Sequence, residues 1–395
     1  MHQEQKPLIE LEEAFEIIAR VQPRLTGETV PLDKALGRVL AHGVRSPIDS
    51  PPFSKSAMDG FAVRSDDPSV SFRIVDMVPA GGAPHQELAA GECARIMTGA
   101  MLPPGAGRVI RKELVDEMDG TIQVMGPETG DNVIPRGANL HAGDTVLFPR
   151  VLSPQDIGIL AASGFAAVDV IIPPAVSIVS TGSEIRSPGE TLRPGEIYNS
   201  NAPQLGAQLE RLRCPSRFLG VVPDRPEPLS RAIESALASS DLLLLTGGVS
   251  AGDFDFVPRC LAECGAEVLF HGVAVKPGKP TLFAQRGEGF IFGLPGNPVS
   301  TFVIFEIFVK PFLLRWMGLE WKPTLFRATL GARVHRRGAE RTEFLPVSAR
   351  GGRVVPVAYL GSAHLNALAE ADGLIRVEKG VATLEEGTEV DVRPL

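Results

Sequence analysis

The sequence predicts a multidomain protein of the α/β-plus-β class, and three observations support this. The chain has 395 residues, more than a single hydrophobic core normally organises. Between residues 174 and 322, wholly apolar strands alternate with amphipathic helices, which is typical of a parallel sheet covered on both faces. On either side of this region, short strands of alternating polarity lie between Gly/Pro turns and indicate β-rich domains.

The chain opens with a helical pattern. Leu8, Leu11, Phe15 and Ile18 recur at the spacing of one helix face, so a helix is predicted there. The segment "VPLDKALGRVLAHGV" that follows predicts a second short helix leading into a strand.

A β-rich domain is predicted next. Apolar runs such as "FRIVDMV", "ECARIM" and "TIQVM" recur at spacings of about ten residues. The following "SPQDIGILAASG" predicts a helix, because Ser153 can cap it, Pro154 suits its first turn and Gly164 can end it.

The α/β region contains the apolar strands "AVSIVSTG", "DLLLLTGG" and "GFIFGLPG", separated by helical segments. A long apolar helix, "NPVSTFVIFEIFVKPFLLRWMG", closes it. Beyond "WKPT", short alternating strands predict a small β-barrel or sandwich of about 70 residues.

Composition excludes several classes of function. A formal net charge of −8 argues against a nucleic-acid-binding face. The charged N-terminus does not resemble a signal peptide. Glu306 and Lys310 interrupt the most apolar segment, which favours a buried helix over a membrane span. We therefore expect a cytoplasmic protein that binds neither nucleic acid nor membrane.

The cysteines do not form a disulfide framework. There are four in the whole chain, Cys93, Cys214, Cys260 and Cys264. Cys260 and Cys264 have the spacing of one helix face, and we expect them to pack a helix instead of binding metal, because no second pair has zinc-site spacing.

Four loops follow predicted strands of the α/β region: "STGSEI", "TGGVSAGDFDF", "KPGKP" and "GLPGNPVS". Ligands of open parallel sheets bind at the carboxyl ends of the strands. Gly247 and Gly248 allow close backbone approach, and Lys276 and Lys279 flank a Pro-Gly turn. The helix after the last loop begins near residues 297–300, whose amides can bind an oxyanion. Each feature alone is compatible with an ordinary turn, and together they predict an anion site.

Carboxylates share this edge. Glu184, Asp253 and Asp255 lie in the same loops, and acids beside phosphate commonly indicate a bridging Mg²⁺. Asp253 can alternatively cap a helix. No P-loop or dinucleotide fingerprint occurs, and His271, in an apolar strand, is expected to be structural.

A second candidate region lies in the β-rich domain. The segments "SAMDGFAV" and "RIMTGAMLPPGAG" are polar loops between strands. Small residues surround Asp59 and Thr98, so these loops can present one acid and one hydroxyl to a ligand.

These segments together, with "PPFSKSAMDGFAV", "GEIYNSN" and "VKPGKPTLF", resemble in order and spacing the molybdopterin molybdenumtransferase family, which includes the MoeA proteins and the E domain of gephyrin. The resemblance covers nearly the whole chain. It implies an elongated N-terminal segment, a β-rich second domain, a molybdopterin-binding α/β domain and a C-terminal β-barrel. The implied boundaries are an N-terminal helix at 1–20, an elongated linker domain at 21–45 and 141–173, the β-rich domain at 46–140, the α/β domain at 174–322 and the barrel at 323–395.

The resemblance also implies a reaction. Family members take adenylylated molybdopterin and molybdate, cleave the adenylate and insert molybdenum into the dithiolene with Mg²⁺. They are homodimers whose active site is shared between subunits, and we expect transient contacts with other molybdenum-cofactor proteins and with apo-molybdoenzymes.

Individual roles follow from the same resemblance. Glu184, Asp224 and Asp255 are the implied acids for Mg²⁺ and hydrolysis, with Glu184 and Asp255 as metal ligands. Lys276 and Lys279 are the implied oxyanion pair, and Asp59 and Thr98 complete the cleft from the other subunit. The residues implied to bind the pterin phosphate and adenylate are Ser180, Thr181, Gly182, Gly247, Gly248, Ser250, Pro295, Gly296, Asn297, Pro298 and Ser300.

The chain departs from the family pattern where acids are usual. It has Ser54-Lys55, Gly107-Arg108, Ala138-Asn139 and Ser183 at such places. These departures keep open a diverged paralogue acting as a pterin carrier or scaffold. A metal-dependent nucleotide pyrophosphatase is a second alternative; it would need the acids, but not the domain with "SAMDGFAV". The choice of molybdate or tungstate is not encoded in these motifs.

Overall fold

The computed structural model describes residues 8–249, 256–320, 322–358 and 361–395. Two compact units divide the chain. The first, here called the α/β unit, comprises Met1–Glu28, Gly37–Val39 and Ile171–Leu395; the second, the β-rich unit, comprises Thr29–Leu36 and Leu40–Val170.

The β-rich unit contains a six-stranded sheet with a hydrophobic core on each face. Successive residues of a strand point to opposite faces, so Phe61 and Cys93 enter one core while Ala62 and Ala94 enter the other. The strands in spatial order are Arg108–Arg111, Gly60–Val63, Glu92–Ile96, Ser71–Val78, Thr121–Val124 and Val115–Met118. Short two-stranded pairings join Lys55–Ser56 to Val133–Ile134 and Val44–Arg45 to Thr145–Leu147.

A smaller core in the same unit surrounds the helix Pro154–Ala162. Ser153 and Asp156 form a reciprocal capping box, and Gly164 has φ +88°, so the predicted start and end of this helix are confirmed. Gly27–Pro31 pairs with Ala167–Ile171 beside it.

The predicted second helix was wrong. Only a 3-10 turn, Leu32–Lys34, forms in "VPLDKALGRVLAHGV". Gly37 has φ +76°, which interrupts a right-handed helix, and Leu32 and Leu40 donate their amides to Ala166 and Arg150 outside the segment. Tertiary pairing therefore replaces the helix that the sequence pattern suggested.

The α/β unit is built on a second six-stranded sheet. Its strands in spatial order are Ser216–Val222, Val176–Thr181, Leu242–Thr246, Gly289–Leu294, Leu282–Arg286 and Glu267–His271. The first four are parallel, as predicted, but Leu282–Arg286 runs antiparallel to both of its neighbours. The cause is the short connection to Gly289–Leu294, because a tight hairpin joins only antiparallel strands.

Helices cover this sheet. They are Leu11–Arg20, Asn201–Arg211, Pro226–Ser239, Val257–Glu263 and the continuous run Pro298–Ile304, Phe305–Val309 (a π-helical turn) and Lys310–Trp316. The short pair Ile185–Arg186 and Ile197–Tyr198 lies beside them. Within the described residues, no helix is long and apolar enough to cross a membrane.

The C-terminal part closes into a barrel of five strands, as predicted. The barrel is closed because the strand Thr342–Arg350 pairs with both Arg353–Pro356 and Gly373–Val377. The strands are Thr342–Arg350, Arg353–Pro356, Phe326–Leu330, Glu389–Pro394 and Gly373–Val377. Remaining short elements are the pair Val334–His335 and Thr383–Leu384, the strand Val275–Lys276 and the 3-10 turns Lys112–Leu114 and Leu365–Glu370.

All four cysteines are buried free thiols. Cys260 and Cys264 pack in the core of the α/β sheet, with their sulfurs directed at the carbonyls of Pro226 and Ser230. This agrees with the packing role expected from the sequence.

Candidate functional site

The carboxyl ends of the central strands form a glycine-lined cradle. Gly247 has φ +89° and Gly248 has φ +63°, a region that side chains rarely adopt. A Cβ at Gly247 would lie 2.6 Å from the carbonyl oxygen of Thr181 and 2.8 Å from its Oγ1. Only glycine allows these two strand ends to approach so closely.

The Thr181 hydroxyl faces this cradle. It is buried and has no hydrogen-bond partner among the described residues. A Cβ at Gly248 would lie 2.9 Å from Thr181 Oγ1 and 3.8 Å from Asp224 Oδ1. A buried hydroxyl without a partner is costly, and a ligand oxygen in the cradle would satisfy it.

Ser180 lies beneath the cradle. Its hydroxyl accepts from Asn199 Nδ2 at 3.0 Å and from Thr246 Oγ1 at 3.1 Å, and all three side chains are buried. Ser180 therefore braces the strand ends, whereas Thr181 and Gly182 line the loop above it.

Two acids border the loops. Both carboxylate oxygens of Glu184 lie 2.9 Å from where a Cβ of Gly182 would be, and Asp224 lies at Gly248 as described above. No cluster of three metal-ligating side chains occurs in the described parts of the chain. Ser250, Asp253 and Asp255 lie outside the described residues.

The loop "GLPGNPVS" is held against the cradle. Gly247 donates its amide to Leu294 O at 3.1 Å, and Asn201 Nδ2 donates to Gly296 O at 2.7 Å. The Thr301 hydroxyl donates to Pro295 O at 2.6 Å. These bonds fix the turn that leads into the helix beginning at Pro298.

The helix start offers fewer free amides than predicted. Pro298 has no N–H, and Val299 N already donates to Ser362 O at 3.1 Å. The Ser300 side chain is buried. Anion binding here must therefore rely on side chains and neighbouring loops more than on the first helical turn.

Ser362 is a site residue that the sequence reasoning missed. Asn297 Nδ2 donates to Ser362 Oγ at 2.7 Å, so this serine lies beside the helix start. Its signal is the polar "GSAHLN" segment in the C-terminal tail. Nothing in the local sequence connects that segment with residue 297.

The loop "KPGKP" at residues 276–280, here called the lysine loop, packs directly on the helix Pro298–Ile304. A Cβ at Gly278 would lie 2.3 Å from Ile304 Cδ1, and Gly278 has φ +119°. Lys279 is exposed and forms no ion pair with any described residue, whereas Lys276 Nζ lies 3.0 Å from Glu343 Oε1. The two lysines thus share a loop but differ in their partners.

His271, at the end of the edge strand Glu267–His271, forms a hydrogen bond with the backbone just after Gly247 and Gly248, the segment here called the glycine loop. Its Nε2 lies 2.8 Å from Val249 O, one residue beyond Gly248. With Nε2 protonated, the ring donates this bond. The structural role expected for His271 is therefore present.

A cavity of about 460 Å³ opens beside Gly182. Phe218, 42% exposed, presents a ring surface to it. Ser183, Arg186, Gly220 and Pro223 also line it. The cavity is large enough for a fused-ring group.

In the β-rich unit, Asp59 and Thr98 are in direct contact. The Thr98 amide and hydroxyl donate to Asp59 Oδ1 at 2.7 and 2.8 Å, and Lys112 Nζ lies 3.7 Å from Oδ2. The backbone hydrogen bond from Thr98, followed by its hydroxyl, lowers the pKa of Asp59 below its ordinary value. Asp59 is thus an ionised, oriented acid.

The acid-poor positions are occupied by other contacts. A Cβ at Gly107 would lie 1.8 Å from Ser65 Oγ, so a side chain there requires Ser65 to move. Ser54 Oγ accepts from Arg136 N at 3.1 Å. Gly107 and Ser54 are thus each in close contact with a neighbouring segment.

Three family models match the chain. They are the MoeA N-terminal region (domain I and II) at residues 9–164, the probable molybdopterin binding domain at 177–315 and the MoeA C-terminal region (domain IV) at 327–395. The molybdopterin molybdenumtransferase of Staphylococcus aureus (strain Mu50 / ATCC 700699) is 34% identical, over 98% of this chain and 96% of that protein. This chain belongs to the MoeA family.

Further comparisons agree on the full-length match. The Bacillus subtilis (strain 168) molybdopterin molybdenumtransferase is 32% identical over 98% of this chain and 94% of its own length. The crystal structure of the molybdopterin biosynthesis MoeA protein from Pyrococcus horikosii superimposes with TM-score 0.85 at 35% identity, covering 98% of this chain and 99% of that one. As a MoeA protein, the chain is a molybdopterin molybdenumtransferase of molybdenum cofactor biosynthesis.

Proposed function

We propose that this MoeA protein uses adenylylated molybdopterin and molybdate, cleaving the adenylate with Mg²⁺ as molybdenum enters the dithiolene. The observation that carries the proposal is the cradle at Gly247 and Gly248, which the Thr181 hydroxyl faces without a hydrogen-bond partner among the described residues. A phosphate oxygen fits this chemistry, since it can accept from the hydroxyl and approach the glycine backbone.

The surrounding loops divide the substrate between them. The cavity beside Gly182 takes a fused ring of the substrate, with Phe218 as its apolar wall. Lys279, exposed and without an ion pair among the described residues, binds the molybdate oxyanion together with Lys276. The loop "GLPGNPVS" forms a wall between the fused ring and the molybdate. The residues of this wall are Pro295, Gly296, Asn297 and Ser300.

The acids fit a magnesium ion delivered with the substrate. Mg²⁺ commonly keeps only one or two protein carboxylates and completes its shell with phosphate oxygens and water. Glu184 supplies one carboxylate at the edge of the cradle, and Asp255, outside the described residues, is the proposed second. When bound, the ion would neutralise charge on the phosphoanhydride.

The chain's own groups orient the hydrolytic step. Asp224 lies at the cradle floor next to Gly248, where it can orient the nucleophile. Thr181 positions the phosphate, and the bond from His271 to Val249 holds the glycine loop in place. Removing Asp224 should therefore affect cleavage more than binding.

The test is AMP release from adenylylated molybdopterin with Mg²⁺ and molybdate. We expect the wild type to release AMP, and Asp224→Asn to bind the substrate with turnover reduced about a hundredfold. Asp241→Asn, an acid at the opposite end of the sheet, serves as a control. Tight binding without AMP release by the wild type would instead indicate a pterin carrier.

We also propose a homodimer whose subunits share the site, with Asp59 and Thr98 of one copy facing the cradle of the other. Large exposed apolar side chains support an interface: Phe148 is 69% exposed, Val151 45% and Ile159 43%. The test mixes Asp59→Asn with Lys279→Met protein. Recovery of activity on mixing supports shared sites, and no recovery with confirmed exchange of subunits contradicts them.

We further propose where the enzyme works and which proteins it meets. The enzyme works in the cytoplasm and meets other molybdenum-cofactor proteins and apo-molybdoenzymes only transiently. The formal net charge of −8 supports a function without nucleic acid.

A further inference from the structure

The lysine loop is joined to the C-terminal barrel residue by residue. Val275 pairs with Thr342 and Lys276 with Glu343 in a parallel register. Thr342 N donates to Ala274 O at 3.1 Å, and Arg341 Nη1 donates to Val275 O at 3.1 Å. A barrel strand therefore sets the backbone position of Lys276.

Glu343 is a buried carboxylate between two cations. Its side chain is 7% exposed, with Oε1 3.0 Å from Lys276 Nζ and Oε2 2.7 Å from Arg336 Nε. Each carboxylate oxygen thus has its own cationic partner, so neither cation has to be displaced for the other to bind.

Arg336 fixes this carboxylate. Its side chain is 3% exposed. Its Nη1 donates to the carbonyls of Glu378 and Val381 at 3.0 and 2.9 Å, and its Nη2 donates to Arg341 O at 2.5 Å. A guanidinium bound on every side cannot follow a moving partner, so Glu343 is held in one place.

Lys276 has no such restraint of its own. Its side chain is 41% exposed, and the ammonium group stands on a flexible stem of four carbons. We propose that Glu343, braced by Arg336, is a positioning residue that holds the Lys276 ammonium at the oxyanion site. This inference rests on the proposed role of Lys276 in binding molybdate.

The charges make this role distinguishable from simple anion attraction. Arg336 and Lys276 contribute two positive charges and Glu343 one negative charge, a sum of +1. Replacing the carboxylate by an amide raises the sum to +2. Such a change should attract an oxyanion more strongly while releasing the ammonium from its position.

The experiment measures molybdate affinity by calorimetry and molybdenum insertion by the full-length protein. For Glu343→Gln, we expect molybdate to bind roughly threefold more tightly and the turnover number to fall about tenfold. The turnover loss should vanish in the Lys276→Met background, whereas the tighter binding, which comes from the added net charge, should persist there. Loss of the fold cannot produce tighter binding together with slower turnover. This combination therefore distinguishes a positioning role of Glu343 from a merely structural one.

Further variants make every outcome decisive. If Glu343→Gln does not fold, Glu343→Asp keeps the charge beside Arg336 but shortens the reach to Lys276, and a turnover loss that depends on Lys276 is again expected. Binding and turnover that fall together with thermal stability, or a turnover loss that persists in the Lys276→Met background, overturn the inference. Wild-type molybdate affinity and turnover in Lys276→Met alone would instead contradict the proposed function of Lys276. Glu389→Gln, in an exposed barrel pair with Arg327, is the matched control.

Discussion

The side-chain amide of Asn297 donates a hydrogen bond to the hydroxyl of Ser362 at 2.7 Å, and the Ser362 carbonyl accepts a hydrogen bond from the backbone amide of Val299. Two residues far apart in the chain thus meet at the start of the helix that borders the proposed oxyanion site. Because the carbonyl bond does not depend on the side chain, the hydroxyl can be removed without releasing the backbone contact.

Ser362→Ala should therefore weaken molybdate binding without unfolding the site. We expect the Kd for molybdate to rise about three- to tenfold, the loss of one hydrogen bond, with thermal stability nearly unchanged. Isothermal titration with molybdate checks this. Ser235→Ala, at an exposed helix position, is the control and should bind as the wild type does. Unchanged affinity in Ser362→Ala would remove this serine from the site.

Gly247→Ala should damage the cradle through both strain and collision. The positive φ and the 2.6 Å approach to Thr181 O act together, so we expect a loss of roughly 2–4 kcal/mol in unfolding free energy. Urea denaturation measures it. Gly265→Ala has φ +76° but open space around it, and isolates the strain alone. Equal losses in the two variants would show that Thr181 does not crowd Gly247.

Thr98→Val should impair turnover while leaving pterin binding intact. Valine keeps the backbone hydrogen bond to Asp59 but removes the hydroxyl bond, so Asp59 loses part of its orientation. We expect turnover to fall about tenfold, with little change in the Kd for the pterin. Thr121→Val, whose hydroxyl only meets a turn carbonyl in the same unit, is the control. A weakened pterin Kd with unchanged turnover would argue against this assignment.

Glu128 should make the β-rich unit sensitive to acid. Burial raises the pKa of Glu128, but hydrogen bonds from Arg111 and Thr129 outweigh it and lower the pKa from 4.5 to about 2. The resulting stabilisation is fully present above pH 4.5 and is lost as the pH falls from there toward 2. Since Arg111 is 38% exposed, solvent reduces it to roughly 1–2 kcal/mol.

Denaturation of Glu128→Gln between pH 7 and pH 3.5 tests this directly. The variant should be less stable than the wild type at pH 7, and the difference should shrink below pH 4.5. Glu113→Gln, at an exposed position, should show no such trend. A difference that stays constant with pH would contradict the assigned ion pair.

Much of the fold follows from local pattern in the sequence. The buried strand Leu242–Thr246 is a continuous apolar run, and Ser153 with Pro154 marks a helix start, so both are recognisable from residue types alone. The exceptions have tertiary causes. Gly37 adopts a positive φ inside an apparently helical segment, and a hairpin reverses Leu282–Arg286 within an otherwise parallel series.

Some residues of the candidate site can likewise be recognised from the sequence, whereas others are found only in the folded chain. Gly247, Gly248 and Thr181 stand at strand ends, where sheet topology brings them together. The contacts of Lys276 with Glu343 and of Asn297 with Ser362 join distant segments, and no periodicity connects them. Likewise, only the folded chain distinguishes Ser180, which faces the core, from its neighbour Thr181.

We propose that this chain inserts molybdenum through its lysine loop and glycine cradle, although Ser54-Lys55, Gly107-Arg108 and Ala138-Asn139 stand where the family usually has acids. The most direct measurement is activation of a cofactor-free molybdoenzyme by the purified protein with adenylylated molybdopterin, Mg²⁺ and molybdate. We predict molybdate-dependent activation that is lost in Lys279→Met and kept in Lys322→Met, an exposed lysine paired with Glu320. Substrate binding by the wild-type protein without any activation of the acceptor enzyme would contradict molybdenum insertion by this chain.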